Sequence, residues 1–178
     1  RIQSICMAAQ ANGRSVAVVG RALNRAISAA REVGYLNDLP DFVQENDIDL
    51  LPPYSLVIVC TGTQGEPRAA MARIAAGTHE TVSLQAGDTV IYSSRQIPGN
   101  ETAIARVQDM LIRRQINLIT DHEAPVHVSG HPSRDEMVDM YGLVRPKIAI
   151  PVHGTARHLQ AHAELAKACQ VQQTLLPD

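Results

Sequence analysis

Short apolar runs alternate with helical segments along most of this chain, and glycine or proline marks most of the changes. The run Val16–Val19 is followed by Gly20 and an amphipathic helix to about Val33. The run Leu56–Cys60 leads through a Gly-containing turn into a helix predicted over residues 67–76. Near-continuous apolar strands that alternate with helices are typical of parallel sheets covered on both faces. The pattern therefore predicts the α/β class, with a mostly parallel, doubly wound sheet.

The second half of the chain continues the alternation. Further strands are predicted in DTVIYSS, INLIT, VHVSG and KIAIPV, and further helices over about 101–114, 133–143 and 156–168. Asn100 suits the cap of the first of these helices, and Pro67 suits the first turn of the preceding one. Because ligands of such folds bind at the carboxyl ends of strands, the segments that follow the strands are the candidate sites.

Charge and cysteine content narrow the class of protein. The 178 residues carry a formal charge of −2, so any nucleic acid must be held at a local site. The cysteines Cys6, Cys60 and Cys169 lie far apart, which argues against both a disulfide framework and a thiolate zinc site. No apolar run approaches the ~20 residues that span a membrane, so we expect a cytoplasmic protein. Because Arg1 opens the chain within an uncapped helical pattern, we also expect a fragment of something longer.

The segment CTGTQGEP, residues 60–67, is the first candidate site. A Gly-rich turn that enters a helix can offer free backbone N–H groups to an anion. The segment matches neither the dinucleotide fingerprint nor the P-loop pattern, because it lacks Gly-Lys-Ser/Thr. A phosphate site and a tight structural turn remain equal alternatives here.

The stretch APVHVSGHPSRDEM, residues 124–137, is the second candidate. His127 and His131 flank Ser129 and Gly130 where an apolar run ends. Alternation along an extended chain puts His127 and Ser129 on one side, and Gly130 allows a sharp turn that presents His131 beyond it. A hydroxyl, a backbone N–H and an imidazole in this order suit an oxyanion.

A capped helix is the alternative interpretation of the same stretch. Ser133 and Glu136 have the Ser-x-x-Glu spacing of a capping box, and the histidines would then bond to backbone. The two interpretations do not exclude each other.

Histidines mark the third candidate, since six of the seven lie between residues 122 and 162. His153 ends the apolar run IAIPV just before Gly154, where a neutral imidazole is well placed to coordinate a metal. A single histidine is more often a satisfied polar residue, and one ligand makes no site. His158 and His162 lie four apart on a helix, which permits chelation, although a solvated helix face is the commoner meaning.

Four motifs occur in a fixed order: TGTQGEPRAAMARIA, DTVIYSSRQIPGNE, HVSGHPSRDEM and RPKIAIPVHG. In this order and at these separations they resemble the ribonuclease J family, metallo-β-lactamase nucleases with an inserted β-CASP domain. The resemblance covers residues 1 to about 175. It implies a partial β-CASP domain in residues 1–125 and the returning C-terminal segment of a metallo-β-lactamase αββα fold in residues 126–178.

The resemblance also implies an activity: a ribonuclease with two zinc ions, 5′-exonucleolytic, endonucleolytic or both, in RNA processing and decay. It implies that the segment His127-Val128-Ser129-Gly130-His131 contacts the RNA phosphate, that His131 is catalytic, and that His153 is a zinc ligand. The implied partners are RNA, with a 5′-monophosphate, and the N-terminal metallo-β-lactamase portion of the same chain. We expect the full-length protein to be a homo-oligomer.

Two departures from the family pattern affect these expectations. The His-x-His-x-Asp-His zinc motif that precedes β-CASP in the family is absent from these residues, so we expect this chain alone to hold no zinc and to be inactive. Thr155 stands after His153-Gly154 where many members carry Glu. A function of another class, a non-catalytic phosphate- or nucleotide-binding α/β module, remains the alternative, and an upstream His-x-His-x-Asp-His run would favour the nuclease.

Overall fold

The computed structural model describes residues 1–177, and the chain forms two compact units. The first unit is Arg1–Val128 and the second begins at Ser129. The elements of the first unit are α1 (Ile2–Ala11), β1 (Ser15–Val19), α2 (Arg21–Glu32), β2 (Leu56–Cys60), α3 (Ala70–Ala75), β3 (Thr89–Ile91), α4 (Glu101–Arg113) and β4 (Asn117–Ile119). Those of the second are α5 (Arg134–Val144), β5 (Ile148–Ala149), α6 (Ala156–Ala168) and β6 (Gln173–Thr174). None of the helices in residues 1–177 is long and apolar enough to cross a membrane.

Every strand pair among the described residues is parallel. β1 pairs with β2, β3 with β4 and β5 with β6, which gives three two-stranded sheets. Each connection contains a helix, because two parallel strands cannot be joined by a tight hairpin. The prediction of a mixed α/β fold with parallel strands is therefore confirmed.

One face of α4 forms the core beneath β3 and β4. Ile104, Val107 and Leu111 recur at the spacing of a helix face and are all at least 98% buried. They pack with Val90 and Tyr92 from β3 and the residue that follows it. Truncating Ile104 or Leu111 to Ala would cost about 2–5 kcal/mol of stability.

The strand β1 is buried on both sides, as its uninterrupted apolar run predicts. Val16 packs with Cys6 and Ala9 of α1. Ala17 and Val19 point the other way, into a cluster that includes residues of α3 and of the 3-10 helix Glu45–Leu50. The alternation of side chains along a strand explains why two separate clusters share β1.

The helix α3 starts later than its sequence predicts. Pro67 lies outside it, in a turn closed by a bond from the Ala69 amide to the Glu66 carbonyl, and the helix begins at Ala70. The Met71 amide bonds to the Thr61 carbonyl at 3.0 Å. Residues 67–69, which the sequence predicts as the start of α3, therefore belong to the turn before the helix. Asn100 does precede α4, but its side chain bonds to Gln64 instead of capping the helix.

The prediction of a strand at VHVSG is wrong, because residues 126–130 form no strand. Side chains, and not the backbone of a neighbouring strand, donate hydrogen bonds to this segment. The Ser93 hydroxyl donates to the Val126 carbonyl at 2.7 Å, and the Arg1 guanidinium donates to the Val128 carbonyl at 2.8 Å.

Candidate functional site

Two histidines predicted from separate motifs stack on each other in the second unit. The ring centroids of His131 and His153 lie 5.8 Å apart, with 21° between the planes. His131 belongs to the turn before α5, and His153 belongs to the turn after β5. Both residues are exposed, so their ring nitrogens are accessible to a ligand.

The turn before α5 is held by its own side chains. The amide of His131 donates to the Ser129 hydroxyl at 3.1 Å. A Cβ added to Gly130 would meet no atom within 4 Å, so the backbone is open to solvent at this position. A hydroxyl, an open backbone and an imidazole are thus neighbours in this turn, and the oxyanion site stays a prediction.

The capping box predicted at Ser133 is confirmed. The Glu136 amide donates to the Ser133 hydroxyl at 3.3 Å, and the Ser133 amide donates to the Glu136 carboxylate at 2.6 Å. Two donors at the start of α5 are satisfied in this way. The cap fixes the helix directly after the Ser129–His131 turn.

His153 has a left-handed backbone conformation, with φ of 68°. Such values are uncommon outside glycine and often occur at functional positions. Gly154 follows with φ of 141°, and a Cβ placed on it would lie 2.9 Å from the Cβ of His158. The left-handed conformation of His153 and the close packing of Gly154 against α6 together set the course of this turn.

The histidines of α6 bond to different partners. The Thr155 amide donates to Nδ1 of His158 at 3.2 Å, which closes a capping box with histidine in the position usually taken by Glu or Gln. Nε2 of His162 lies 2.9 Å from the Tyr141 hydroxyl on α5. The two rings therefore do not form the chelating pair that their spacing allows.

The remaining predicted phosphate-binding residues, His127 and Val128, lie in the first unit. Nδ1 of His127 is 3.3 Å from the Ser93 carbonyl, and the ring is half-buried. The Val128 carbonyl accepts from Arg1, and its side chain is 77% exposed. Of the predicted site residues, the structure brings together Ser129, Gly130, His131 and His153.

The CTGTQGEP segment is built as a structural turn. Gln64 binds the backbone of the following loop, donating to the Arg95 carbonyl at 2.8 Å and accepting from the Ile97 amide at 3.0 Å. Gly65 has φ of 74°, and a Cβ there would lie 2.4 Å from the carbonyl carbon of Ala103. These contacts favour the structural alternative over phosphate binding.

A metal could draw on few donors in this part of the protein. Residues 1–177 contain no group of three or more His, Cys, Asp or Glu side chains placed to share one ion. Burial raises the pKa of Cys60 to about 11, so its thiol stays protonated and is a poor ligand. Among the predicted site residues, the exposed imidazoles of His131 and His153 are the donors that could each fill a ligand position.

Tyr92 carries a buried polar group that the sequence does not reveal. It is only 4% exposed, and its hydroxyl has no hydrogen-bond partner in residues 1–177. Burial raises the pKa of Tyr92 to about 12. Its position just after the last residue of β3 is the one signal that the sequence offered.

Two family models match the chain. Residues 1–111 match the model described as "Ribonuclease J, beta-CASP domain", and residues 124–174 match "Zn-dependent metallo-hydrolase RNA specificity domain". The second model contains Ser129, Gly130, His131 and His153 together.

Curated relatives are similar over nearly the whole chain. A ribonuclease J of Sinorhizobium meliloti is 48% identical over 165 residues, which is 93% of this chain and 29% of the relative. A ribonuclease J of Mycolicibacterium smegmatis is 45% identical over 172 residues, covering 96% of the chain and 31% of the relative. One of Mycobacterium tuberculosis is 41% identical over 97% of the chain and 31% of the relative. The chain thus spans about three-tenths of the length of the curated relatives it matches.

Proposed function

Because the chain belongs to the ribonuclease J family, we propose that it is part of a zinc-dependent ribonuclease that hydrolyses RNA phosphodiester bonds. The observation that carries the proposal is the stacked pair His131 and His153, beside the Ser129–Gly130 turn. Two residues to which the family resemblance gives separate roles, catalysis and zinc coordination, lie within one small surface.

Residues 1–125 are assigned to the β-CASP domain and residues 126–178 to the returning segment of the metallo-β-lactamase domain. The second segment exposes large apolar side chains on α5, in β5 and directly after β5, namely Met140, Leu143, Val144, Ile148, Ile150 and Val152. Contiguous exposed apolar surface marks an interface. The N-terminal metallo-β-lactamase portion of the parent protein is the partner that this surface is proposed to meet.

His153 is proposed as one zinc ligand, through a ring nitrogen of the neutral imidazole. Zinc, when bound, supplies a Lewis acid and lowers the pKa of a coordinated water. The remaining ligands come from outside residues 1–177, since these contain no group of three donors. The left-handed turn at His153 and its packing on His158 hold the ring in place for this task.

The other residues act on the phosphate. Ser129 offers a hydroxyl and Gly130 an open backbone to the phosphoryl oxygens, and His127 and Val128 extend the same contact along the RNA. His131 stands beside the ligand position of His153, where it can donate a proton to the leaving oxygen or stabilise charge that develops on it.

RNA with a 5′-monophosphate is the proposed substrate, and cleavage is 5′-exonucleolytic, endonucleolytic or both. The full-length protein is proposed to be a homo-oligomer. A cytoplasmic location is also proposed, and the free thiols of Cys6, Cys60 and Cys169 agree with it. The matching description "RNA specificity domain" supports RNA as the ligand of the second unit.

The test uses the full-length parent protein and a 5′-monophosphorylated RNA. We expect cleavage that a chelator abolishes and zinc restores, and His153→Ala should lower both the zinc content and the cleavage rate. Gln160→Ala, on the exposed side of α6, is the matched control. If the protein bound RNA but showed no metal-dependent cleavage, the ribonuclease proposal would be wrong and the phosphate-binding module would be favoured.

A further inference from the structure

Arg1 is hydrogen-bonded to the segment that carries two of the proposed phosphate contacts. Its guanidinium donates from Nη1 to the Ser93 carbonyl at 3.1 Å and from Nη2 to the Val128 carbonyl at 2.8 Å. The residue directly precedes α1, and its own carbonyl accepts from the Ile5 amide at 2.9 Å. Two side-chain hydrogen bonds and a backbone joined to a helix therefore fix the charge of Arg1 beside Val128.

Ser93 brings the imidazole of His127 to the same place. Nδ1 of His127 lies 3.3 Å from the Ser93 carbonyl, which also accepts from Arg1. Because a carbonyl can only accept, Nδ1 carries the proton of this bond. The Ser93 hydroxyl donates to the Val126 carbonyl at 2.7 Å. The guanidinium, the imidazole and the backbone of residues 126–128 are thus joined through the Ser93 backbone and hydroxyl.

The positive charge of Arg1 has no partner of opposite charge in the described part of the chain. No Asp or Glu of residues 1–177 forms an ion pair with its guanidinium. A guanidinium has five N–H donors, and the two hydrogen bonds of Arg1 leave three without a partner among these residues. Arg1 is exposed, so an anion can reach it. A fixed cation with free donors in a planar fork suits the oxygens of a phosphate.

The residues already assigned to phosphate contain no such cation. Residues 127–131 offer two imidazoles, a hydroxyl and backbone groups, but no Lys or Arg. Proteins bind nucleic acid phosphates largely through Lys and Arg, whose charge replaces condensed counterions. The hydrogen bond from Arg1 to the Val128 carbonyl places a permanent positive charge against this segment.

We propose that Arg1 is a further RNA-binding residue, whose guanidinium contacts a phosphate group of the substrate while its bonds to Ser93 and Val128 hold it in place. The inference rests on the proposed function, which supplies RNA as the ligand. Arg1 lies in the part of the chain assigned to β-CASP, so this domain contributes a cation to the contact. An internal phosphodiester and a terminal 5′-monophosphate offer the same kind of oxygen, and the experiment distinguishes them.

The experiment measures RNA binding by the full-length parent protein, with a chelator present so that the RNA is not cleaved. The probe is a fluorescent single-stranded oligoribonucleotide with a 5′-monophosphate, and anisotropy gives its affinity at several salt concentrations. Arg1→Gln should weaken binding roughly 10-fold or more, as for loss of a hydrogen bond to a charged group. The slope of log K against log salt should also become shallower by about 0.7, because one phosphate contact is lost.

Two control variants separate the charge from its surroundings. Arg14→Gln removes the same charge from an exposed residue beyond the other end of α1, and the salt dependence should stay unchanged. Ser93→Ala removes the hydroxyl that binds the Val126 carbonyl but keeps the guanidinium, so it should lower the affinity without changing the slope.

Should Arg1→Gln fail to fold, the unaltered protein carries the same test. Bound RNA should protect Arg1 from phenylglyoxal, a reagent that modifies arginine side chains, as measured by mass spectrometry. Arg14 should react equally with and without RNA. Equal modification of Arg1 in both samples would overturn the proposal.

A second titration with a 5′-hydroxyl RNA shows which phosphate is bound. An equal loss in Arg1→Gln with both RNAs assigns the contact to an internal phosphate, and a loss with the 5′-monophosphorylated RNA alone assigns it to the terminal one; both outcomes support the proposal. The proposal is overturned if Arg1→Gln keeps the salt slope of the unaltered protein, or if the unaltered protein binds no RNA. Zinc-dependent cleavage is a separate measurement, so it decides the ribonuclease proposal whatever the outcome for Arg1.

Discussion

The backbone amide of Thr155 donates a hydrogen bond to Nδ1 of His158 over 3.2 Å, and the Thr155 hydroxyl lies 3.1 Å from the same nitrogen. This contact fixes the first turn of α6. Gly154 packs against the same histidine, with only 2.9 Å between a Cβ added to Gly154 and the Cβ of His158. His158 therefore connects α6 to the turn that carries His153.

Loss of this cap should destabilise the fold. We expect His158→Ala to lower the free energy of unfolding by about 0.5–2 kcal/mol, because donors at the start of α6 lose their acceptor. His158→Gln should recover part of the loss, since Gln at this position can close a capping box. Urea denaturation measures both, with the exposed neighbour Arg157→Ala as control. An equal loss in Arg157→Ala would show that the cap is not the cause.

The sequence predicts those elements that depend on local patterns. β2 occupies Leu56–Cys60 and α6 occupies Ala156–Ala168, as the apolar run and the helix spacing require. Prediction is wrong for the strand VHVSG, where bonds from Ser93 and Arg1 replace strand pairing. Those partners are distant in the sequence, so no local pattern could reveal them.

In the candidate site, too, contacts between sequence neighbours could be predicted and contacts between distant residues could not. The capping box at Ser133 and the turn at Gly130 could be predicted because their residues are neighbours in the chain. The stacking of His131 on His153 depends on where α5 and β5 come together, and the sequence gives no distance between them. The burial of Tyr92 depends on packing between α4 and β3, so no local pattern predicts it.

Gly65 should be irreplaceable in the turn after β2. Gly65→Ala would place a Cβ 2.4 Å from the Ala103 carbonyl carbon, in a backbone with φ of 74°. Strain and overpacking each cost about 1–3 kcal/mol, so we expect a loss of at least about 2 kcal/mol. Gly13→Ala is the matched control, because Gly13 has φ of 64° but nothing within 4 Å of an added Cβ. Similar melting temperatures for the two variants would contradict the packing argument.

The inaccessible side chain of His79 should make stability depend on pH. Its side chain is 1% exposed, and its Nδ1 faces the Thr81 amide at 3.4 Å, which favours the neutral ring. Burial lowers the pKa of His79, and Arg73 lowers it further, whereas Glu45 and Glu80 oppose the shift. The unfolded chain therefore binds a proton near pH 6.5 that the folded chain takes up only at lower pH.

Unfolding takes up this proton, so the free energy of unfolding should fall as the pH drops below about 6.5 and level off once the folded state also binds it. Chemical denaturation between pH 5 and pH 8 measures the slope. His79→Gln should reduce the slope of the free energy of unfolding against pH. His122→Gln, at an exposed histidine, should leave that slope unchanged. An unchanged slope in His79→Gln would assign the pH dependence to other groups.

His131 should be needed for cleavage and not for metal binding. In the full-length parent protein, we expect His131→Ala to slow RNA hydrolysis by roughly 100-fold or more, as for loss of a general acid. Zinc content should stay near normal, because the ring is proposed to serve the leaving oxygen. Asp139→Ala, an exposed residue of α5, is the control. Loss of zinc in His131→Ala would show that His131 is a zinc ligand, and the roles proposed for His131 and His153 would then be exchanged.

Residues 1–178 alone should bind no stoichiometric zinc. A catalytic zinc site usually requires three protein ligands, and His153 is the one ligand proposed in this chain. A single imidazole cannot compete with water and a chelator, whereas the first unit has its own core around Ile104 and Leu111 and should fold without metal. Elemental analysis of the purified chain, with an RNA cleavage assay before and after chelation, measures both expectations. Two tightly bound zinc ions together with chelator-sensitive cleavage would mean that the active site lies within these residues, in an arrangement other than the His131 and His153 pair.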